Sequence, residues 1–328
     1  MKVLVTGGAG YIGGTVADEL IAKGHEVAVY DNLCHGHRSM LPKDAAFIEG
    51  EIADRALLEK TLAQGFDGVM HFAALIEAGE SMKKPEVYFR NNSATTLTLL
   101  EAMLATGVRR LVFSSTAALY GEPEITPIPE NAPLRPTNAY GESKLLVEQM
   151  LPWFHDIHGF SYASLRYFNV AGAVPGRGEA HEPESHLIPL VLDVALGRRA
   201  SIKIFGQDYP TPDGTAVRDY IHVQDLGRAH QLALAALASE SQPQKLIYNI
   251  GNGVGFSVRQ IVESVRRVTG HAIPVVEEPR RPGDPAVLIA SSEKITRELG
   301  WHPEYTEIDA IVESAWVWHQ ERYQRTGF

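Results

Sequence analysis

Lys2-Val3-Leu4-Val5-Thr6-Gly7-Gly8-Ala9-Gly10-Tyr11-Ile12-Gly13 sets an apolar run directly against a glycine turn. The run suits a buried parallel strand. Val16, Leu20 and Ile21 then follow at helical spacing, and the pattern ends near Gly24. Gly8, Gly10 and Gly13 satisfy G-x-G-x-x-G, and Gly7, Gly10 and Gly13 the related G-x-x-G-x-x-G. Glycines between a strand and a helix permit a tight turn and let a pyrophosphate approach the helix N-terminus. A second strand, Glu26-Val27-Ala28-Val29-Tyr30, ends at Asp31, where an acid can accept hydrogen bonds from an adenosine ribose. The same carboxylate repels a 2′-phosphate, so the expected cofactor is NAD and not NADP.

Outward from this unit the alternation continues. Further strands are expected at Ala46-Phe47-Ile48-Glu49, Gly68-Val69-Met70-His71-Phe72, Arg110-Leu111-Val112-Phe113-Ser114 and Ser161-Tyr162-Ala163-Ser164-Leu165-Arg166. Amphipathic segments at 54–64, 86–106 and 140–158 separate them. The pattern predicts an α/β chain with a doubly wound, Rossmann-like parallel sheet and a smaller α/β substrate-binding lobe. Ligand groups are expected at the carboxyl ends of the strands. Those ends supply Glu51-Ile52, Phe72-Ala73-Ala74, Ser114-Ser115-Thr116 and Tyr167-Phe168-Asn169. Residues 171–220 are rich in Gly, Pro and charge, with short apolar runs such as Leu187 to Leu196. Asp219-Tyr220-Ile221-His222-Val223 and Leu246-Ile247-Tyr248-Asn249-Ile250 read as strands, the latter returning to the main sheet. Helices are expected from Leu226 to Leu237, at 257–269 and at 307–323, with a loop and short strand in 279–292. The expected division is a dinucleotide-binding part, 1–169 with a return segment near 223–250, and a second lobe, 170–328.

Composition excludes several function classes. The 328 residues carry a formal net charge of −10, which offers no general attraction to nucleic acid or anionic membrane. Anionic ligands must therefore be held by local arginines or helix N-termini. The one cysteine, Cys34, can form no internal disulfide, and no apolar run reaches membrane-spanning length. A cytoplasmic protein is expected. Within this frame, Tyr140-Gly141-Glu142-Ser143-Lys144 opens an amphipathic helix with a phenol and an ammonium on one face. A tyrosine is a poor base at its ordinary pKa of about 10, and a neighbouring cation brings it nearer a useful range.

Taken together, these stretches resemble the extended short-chain dehydrogenase/reductases, and within them the UDP-galactose 4-epimerases. The likeness runs through nearly the whole chain. Asp31-Asn32-Leu33, Arg166-Tyr167-Phe168-Asn169, the run from Phe205 to Val223 and Arg280-Arg281-Pro282-Gly283-Asp284 carry it. The resemblance implies reversible 4-epimerisation of UDP-galactose and UDP-glucose through a 4-keto sugar, with NAD retained, and a homodimer. It implies that Tyr140 moves the proton of the hexose 4-hydroxyl, with Thr116 holding that oxygen. Lys144 is expected to lower the tyrosine pKa and to bond the nicotinamide ribose. Cofactor contacts are expected from Gly7, Gly10, Tyr11, Ile12, Gly13, Asp31, Asn32, Glu51, Ile52, Phe72, Ala73, Ala74, Asn92, Ser114, Tyr140, Lys144 and Phe168. For the nucleotide sugar, Arg218 and Arg281 are expected on the diphosphate, Asp284 on the uridine ribose, and Asn169 on diphosphate or uracil. Phe205 and Tyr220 are expected to line the nucleotide pocket, joined by His186, Leu187 and Val258. Leu288 aligns with the position whose bulk governs room for an N-acetyl sugar.

Some positions depart from the family pattern. Ile76 stands where a lysine is common, so one cationic cofactor contact is missing, and Glu51 replaces an aspartate. His186 stands where asparagine is frequent. Read alone, Arg218-Asp219 is a surface ion pair. Other nucleotide-sugar enzymes of the family, such as a UDP-N-acetylhexosamine or uronate 4-epimerase or a 4,6-dehydratase, are the nearest alternatives. A dehydratase needs an acid and a base after the Ser/Thr position, whereas Thr116 is followed by Ala117-Ala118. A non-catalytic NAD-sensing protein of the same fold conflicts with the intact Thr116, Tyr140 and Lys144.

Overall fold

The computed structural model describes residues 1–281 and 284–326; Pro282 and Gly283 of the Arg280–Asp284 stretch lie outside the described residues, as do Gly327 and Phe328. The apolar runs form β1 (Lys2–Thr6), β2 (Glu26–Asp31), β3 (Ala46–Glu49), β4 (Gly68–His71), β5 (Arg110–Thr116), β6 (Ser161–Tyr167) and β7 (Lys245–Ile250). They make one seven-stranded sheet in the order β7-β6-β5-β4-β1-β2-β3, every ladder parallel. Thr6 sits in register between Tyr30 and His71. The strand order reverses between β1 and β4, so successive crossovers leave a crevice at the carboxyl ends there.

Residue alternation decides what each face buries. Val3, Val5, Val29, Met70 and Val112 pack with α1 (Tyr11–Ala22) on one side. Leu4, Ala28, Val69, Leu111 and Phe113 pack on the other with α2 (Arg55–Leu62), α3 (Thr95–Thr106) and α4 (Ala139–His158). A fifth helix, α5 (Val223–Ser239), shares the first face through Leu226, Ala229, Ala233 and Leu237. The expected helix over 86–106 is subdivided. An α-turn at Pro85–Tyr88 runs into a π-helical stretch, Phe89–Ala94, and then into α3. The wide turn frees backbone carbonyls, and Thr96 Oγ1 donates to Asn92 O at 2.6 Å.

After β6 the chain leaves the sheet. Asn169–Ala171 pairs with Val217–His222, which also pairs with Gly255–Ser257 and Val287–Leu288. The Gly- and Pro-rich stretch contains more order than its composition suggests: a helix at Leu187–Ala195 and a strand at Ile202–Phe205 paired with Val275–Glu278. Their apolar side chains join Ile261, Val265, Ile311 and Val312 in a separate core, so a second, smaller lobe stands over the crevice. The reading of Arg218-Asp219 as a surface pair does not hold. Asp219 is fully buried and accepts from the backbone amides of Asn252 (2.7 Å), Gly253 (3.0 Å) and Ala290 (3.1 Å). Burial lifts its carboxyl to about 6 even so. The strand register points Arg218 to the opposite face, where it pairs with Asp284.

Two buried arginines join the parts. Arg177, in a two-residue strand of the second lobe, donates to Asp18 Oδ2 on α1 at 3.0 and 2.8 Å and to the Met40 carbonyl. It fits because Gly14 has no side chain: a Cβ there would lie 2.1 Å from the guanidinium. Arg166 on β6 forms an ion pair with Glu148 on α4, their side chains only 4% and 5% exposed. Glu148 also accepts from Ser115 Oγ at 2.6 Å, while Arg166 reaches Tyr120 Oη (2.9 Å) and Glu130 O (3.0 Å). Breaking such a pair leaves an uncompensated buried charge, a loss of about 3–5 kcal/mol. Arg166→Met is expected to destabilise the protein by that order, and adding Glu148→Leu to recover much of it. Thermal and urea unfolding of the single and double variants measure both effects.

Candidate active site

A cleft of about 1420 Å³ runs along the carboxyl ends of the sheet and under the second lobe. At one end lies the glycine turn. Gly7 has φ +73°, a conformation that costs glycine little, and a Cβ on it would meet Ala73 N at 2.6 Å. A Cβ on Gly13 would meet Gly7 O at 2.4 Å, so the turn closes only with glycine there. Gly10 begins α1 with no side-chain cap, which leaves the first amides of that helix free for an anion. Asp31 ends β2 with Oδ2 accepting from Ala9 N (3.0 Å) and Oδ1 from Leu33 N (2.8 Å). Its carboxylate is thereby oriented, and lone pairs remain for a diol. Glu51 accepts from Asn32 Nδ2 at 3.0 Å on the same wall.

The middle of the cleft holds the expected proton-transfer group. Asn138 caps α4 by accepting from Gly141 N at 2.8 Å. Tyr140, in the first turn, has its phenol beside the Thr116 side chain. Thr116 ends β5 and also accepts from Ala118 N at 3.1 Å, so it is both a strand-end cap and the partner of the phenol. Lys144 lies one turn on, buried, donating to Ser114 O at 2.9 Å. Burial raises the Tyr140 phenol, the Thr116 hydroxyl lowers it, and the Glu77 carboxylate adds to the rise. Burial has brought the Lys144 amine down to about 7, and it donates to a backbone carbonyl.

The far end is polar and aromatic. Arg218 pairs with Asp284 and donates to Val217 O at 2.7 Å. The Arg281 guanidinium lies 4.0 Å from the Phe205 ring centroid. Asn169, Leu187, Tyr220, Val258 and Leu288 line the same end. His186 precedes the Leu187–Ala195 helix, with Nδ1 2.8 Å from Glu184 Oε1. Burial acts to lower this imidazole, but the Glu184 bond and the Glu179 charge outweigh it and bring it to about 9.

The fold brings nearly all of the expected site residues into one cleft. Tyr11, Ile12, Ile52, Phe72, Ala74 and Phe168 line it with those already named. Asn92 stands outside that lining. Its amide accepts from Leu75 N and donates to Leu75 O, both at 2.9 Å, and to Ser143 Oγ at 3.0 Å, so it braces the wall from behind. Near Ile76, where a cation was expected to be missing, Lys83 and Lys84 line the cleft instead.

A model of the NAD dependent epimerase/dehydratase family matches residues 3–251. The chain belongs to that family. It is 54% identical over 318 residues to a UDP-glucose 4-epimerase of Corynebacterium glutamicum, covering 97% of this chain and 95% of that protein. A UDP-glucose 4-epimerase of Streptomyces lividans is 55% identical over 320 residues, with 97% and 96% covered. The crystal structure of UDP-glucose 4-epimerase from Bifidobacterium longum in complex with NAD+ and UDP matches with a TM-score of 0.93 at 38% identity, covering 100% of both chains. The cofactor named by the epimerase/dehydratase family fits the residues present. The Gly7–Gly13 cradle is one that a Cβ would fill, and Asp31 is held for a ribose diol.

Tyr167, at a strand end expected to supply ligand groups, bonds Ser114 Oγ beside Tyr140, and burial and the neighbouring phenol hold it well above its ordinary range. Sequence reasoning passed over several other residues in this family member's cleft. Glu77, Glu179, His181, Glu184 and Ser185 form part of the rim. The spacing of Glu179, His181, Glu184 and His186 was a visible signal, obscured by the apparent loop composition around it.

Lys144 makes a prediction with a defined sign. Its folded value of about 7 lies below the ordinary value of about 10.4 for lysine, so the folded state releases a proton between them. The resulting destabilisation is full below the folded value and fades as pH rises toward the unfolded one. Lys144→Met is expected to melt above the wild type at about pH 6, with the gap closing toward about pH 10. Thermal melts across that range would show no converging gap if the amine were charged throughout.

Proposed function

We infer that this chain interconverts UDP-galactose and UDP-glucose by oxidising and re-reducing C4 of the hexose. The placement of the Tyr140 phenol beside Thr116 carries the reading. The pair sits in one cleft between a dinucleotide cradle and an arginine-bearing end suited to a second diphosphate. Residues 1–169, with the return segment near 223–250, serve as the dinucleotide half and 170–328 as the nucleotide-sugar lobe. The glycine turn and Asp31 would hold NAD, which would supply reversible hydride transfer at C4.

Thr116 holds the hexose O4 near the phenol. Tyr140 takes the proton of that hydroxyl as C4 is oxidised and gives it back when C4 is reduced. The phenol must start as phenolate; Lys144 lowers its pKa, and a bound nicotinamide cation would add to that lowering. Arg218 and Arg281 hold the diphosphate by charge-assisted bonds. Arg218 must trade its pairing with Asp284 for the ligand, which frees that carboxylate to accept from a ribose. Firm hold on the nucleotide and a looser one on the hexose let the 4-keto sugar present its other face. Ala117-Ala118 offer no carboxyl group for elimination, which favours epimerisation over dehydration.

We also propose a cytoplasmic homodimer. Among the described residues no helix is long and apolar enough to cross a membrane. Trp153 (68% exposed) and Ile157 (65%) on α4, with Val87 (40%) and Leu97 (38%) on the 85–106 segment, leave apolar surface on adjacent helices. Packing against a second copy as a four-helix bundle buries it.

Purified protein given UDP-galactose and no added cofactor is expected to form UDP-glucose. Tyr140→Phe is expected to lose on the order of 10²–10⁴ in turnover, the usual contribution of a positioned general base, while still binding UDP. A variant keeping half its activity would overturn the assignment. Sedimentation equilibrium is expected to give a dimer at micromolar concentration, and a single 36.0 kDa species would exclude the pairing of α4 with its mate.

A further inference from the structure

We propose that the rim segment 179–186 is a binding site for a divalent transition-metal ion of the zinc class, with Glu179, Glu184 and His186 as ligands. Each of these side chains offers a donor atom within 4.8 Å of the other two. His186 Nδ1 lies 2.8 Å from Glu184 Oε1 and 4.0 Å from Glu179 Oε2. Tetrahedral zinc with bonds of about 2.0–2.2 Å requires ligand atoms roughly 3.3–3.6 Å apart. The observed spacings straddle that range, so rotamer adjustments of a few tenths of an ångström close the site.

The carboxylates are held in place. Glu179 Oε1 accepts from Ala180 N (2.9 Å) and His181 N (3.0 Å), and Glu184 Oε1 from Ser185 N and His186 N, each at 2.8 Å. These bonds leave Glu179 Oε2 turned toward His186 and fix the Glu184 carboxylate through Oε1, the oxygen beside His186 Nδ1.

A charge imbalance around the cluster also favours a cation. Glu77 lies across the rim, accepting from Ser185 Oγ at 2.8 and 2.9 Å and 3.5 Å from His181 Nε2. Among the described residues, the ion pairs of Glu77, Glu179 and Glu184 are all with histidines. Three carboxylates thus border a cleft whose glycine turn and arginines suit diphosphates. One imidazole with carboxylates suits zinc, whereas all-oxygen sites suit magnesium and calcium. The bound ion pins the segment that leads into the Leu187–Ala195 helix, and its fourth position is left to solvent. This inference does not depend on the sugar chemistry above.

The probe is zinc chloride added to untagged, chelator-treated protein, followed by metal analysis and calorimetric titration. One equivalent per chain is expected to bind saturably at micromolar concentration or below and to raise the melting temperature. Cobalt in place of zinc is expected to show the intense visible bands of a four-coordinate centre. Glu184→Gln and His186→Asn, each checked for unchanged circular dichroism, are expected to weaken zinc binding more than about tenfold. His302→Asn, at an exposed histidine outside the cluster, should bind as the wild type does. Unsaturable binding, equal binding by all variants, or six-coordinate cobalt spectra would overturn the proposal. If both variants misfold, the wild-type stoichiometry and cobalt spectrum still decide it.

Discussion

The buried pair of Glu148 and Arg166 sets where α4 lies against the sheet. Glu148 is one turn beyond Lys144 and two beyond Tyr140, so whatever fixes its height fixes theirs. Its second partner, Ser115, lies between Ser114, whose carbonyl accepts from Lys144, and Thr116, which stands beside the phenol. One ion pair therefore ties the helix to both strands that frame the reacting position. Arg166 also holds Tyr120 and the Glu130 carbonyl, and Tyr120 Oη donates to Asn249 Oδ1 at 2.7 Å. A fully satisfied network of this kind rigidifies as well as stabilises. Preorganised geometry at the phenol is what proton transfer to a sugar oxygen needs.

Electrostatics in the cleft run against the charge of the chain as a whole. A protein of formal net charge −10 cannot attract dinucleotides and nucleotide sugars by its overall field. The binding charge is local and, in the structure, already engaged. Arg218 is held by Asp284, Arg281 stacks on Phe205, and His186 is bracketed by glutamates. Exchanging one charged partner for another avoids leaving a bare buried charge before ligand arrives. It also makes binding an exchange of partners, which suits a site that must hold a diphosphate and free a sugar.

The two lobes meet through geometry as much as charge. Arg177 reaches α1 only because Gly14 offers it space, and the Met40 carbonyl and Asp18 complete its partners. The glycine-rich turn thus closes through Gly7 and Gly13 and serves lobe docking with Gly14. A π-helical turn at Phe89–Ala94 plays a comparable part on the other wall, where Asn92 braces both the Leu75 backbone and Ser143.

Much of this was legible in the chain because local rules decided it. The apolar run before Gly7, the period of the strands and the Tyr140–Lys144 spacing each follow from backbone geometry within a few residues. So did the cleft residues named from motif, since strand ends in a parallel sheet share one edge. The rest depended on partners distant in sequence. Asp219 read as a surface acid until the fold buried it under the amides of Asn252, Gly253 and Ala290. Lys144 read as a cation beside a phenol; that it is also buried and donates to the Ser114 carbonyl only the fold decided. Asn92 read as a cofactor contact, yet its hydrogen bonds were taken up by a loop and a helix. Spacing along a chain dictates which face a side chain takes, but only packing decides its neighbours, its solvation and hence its charge.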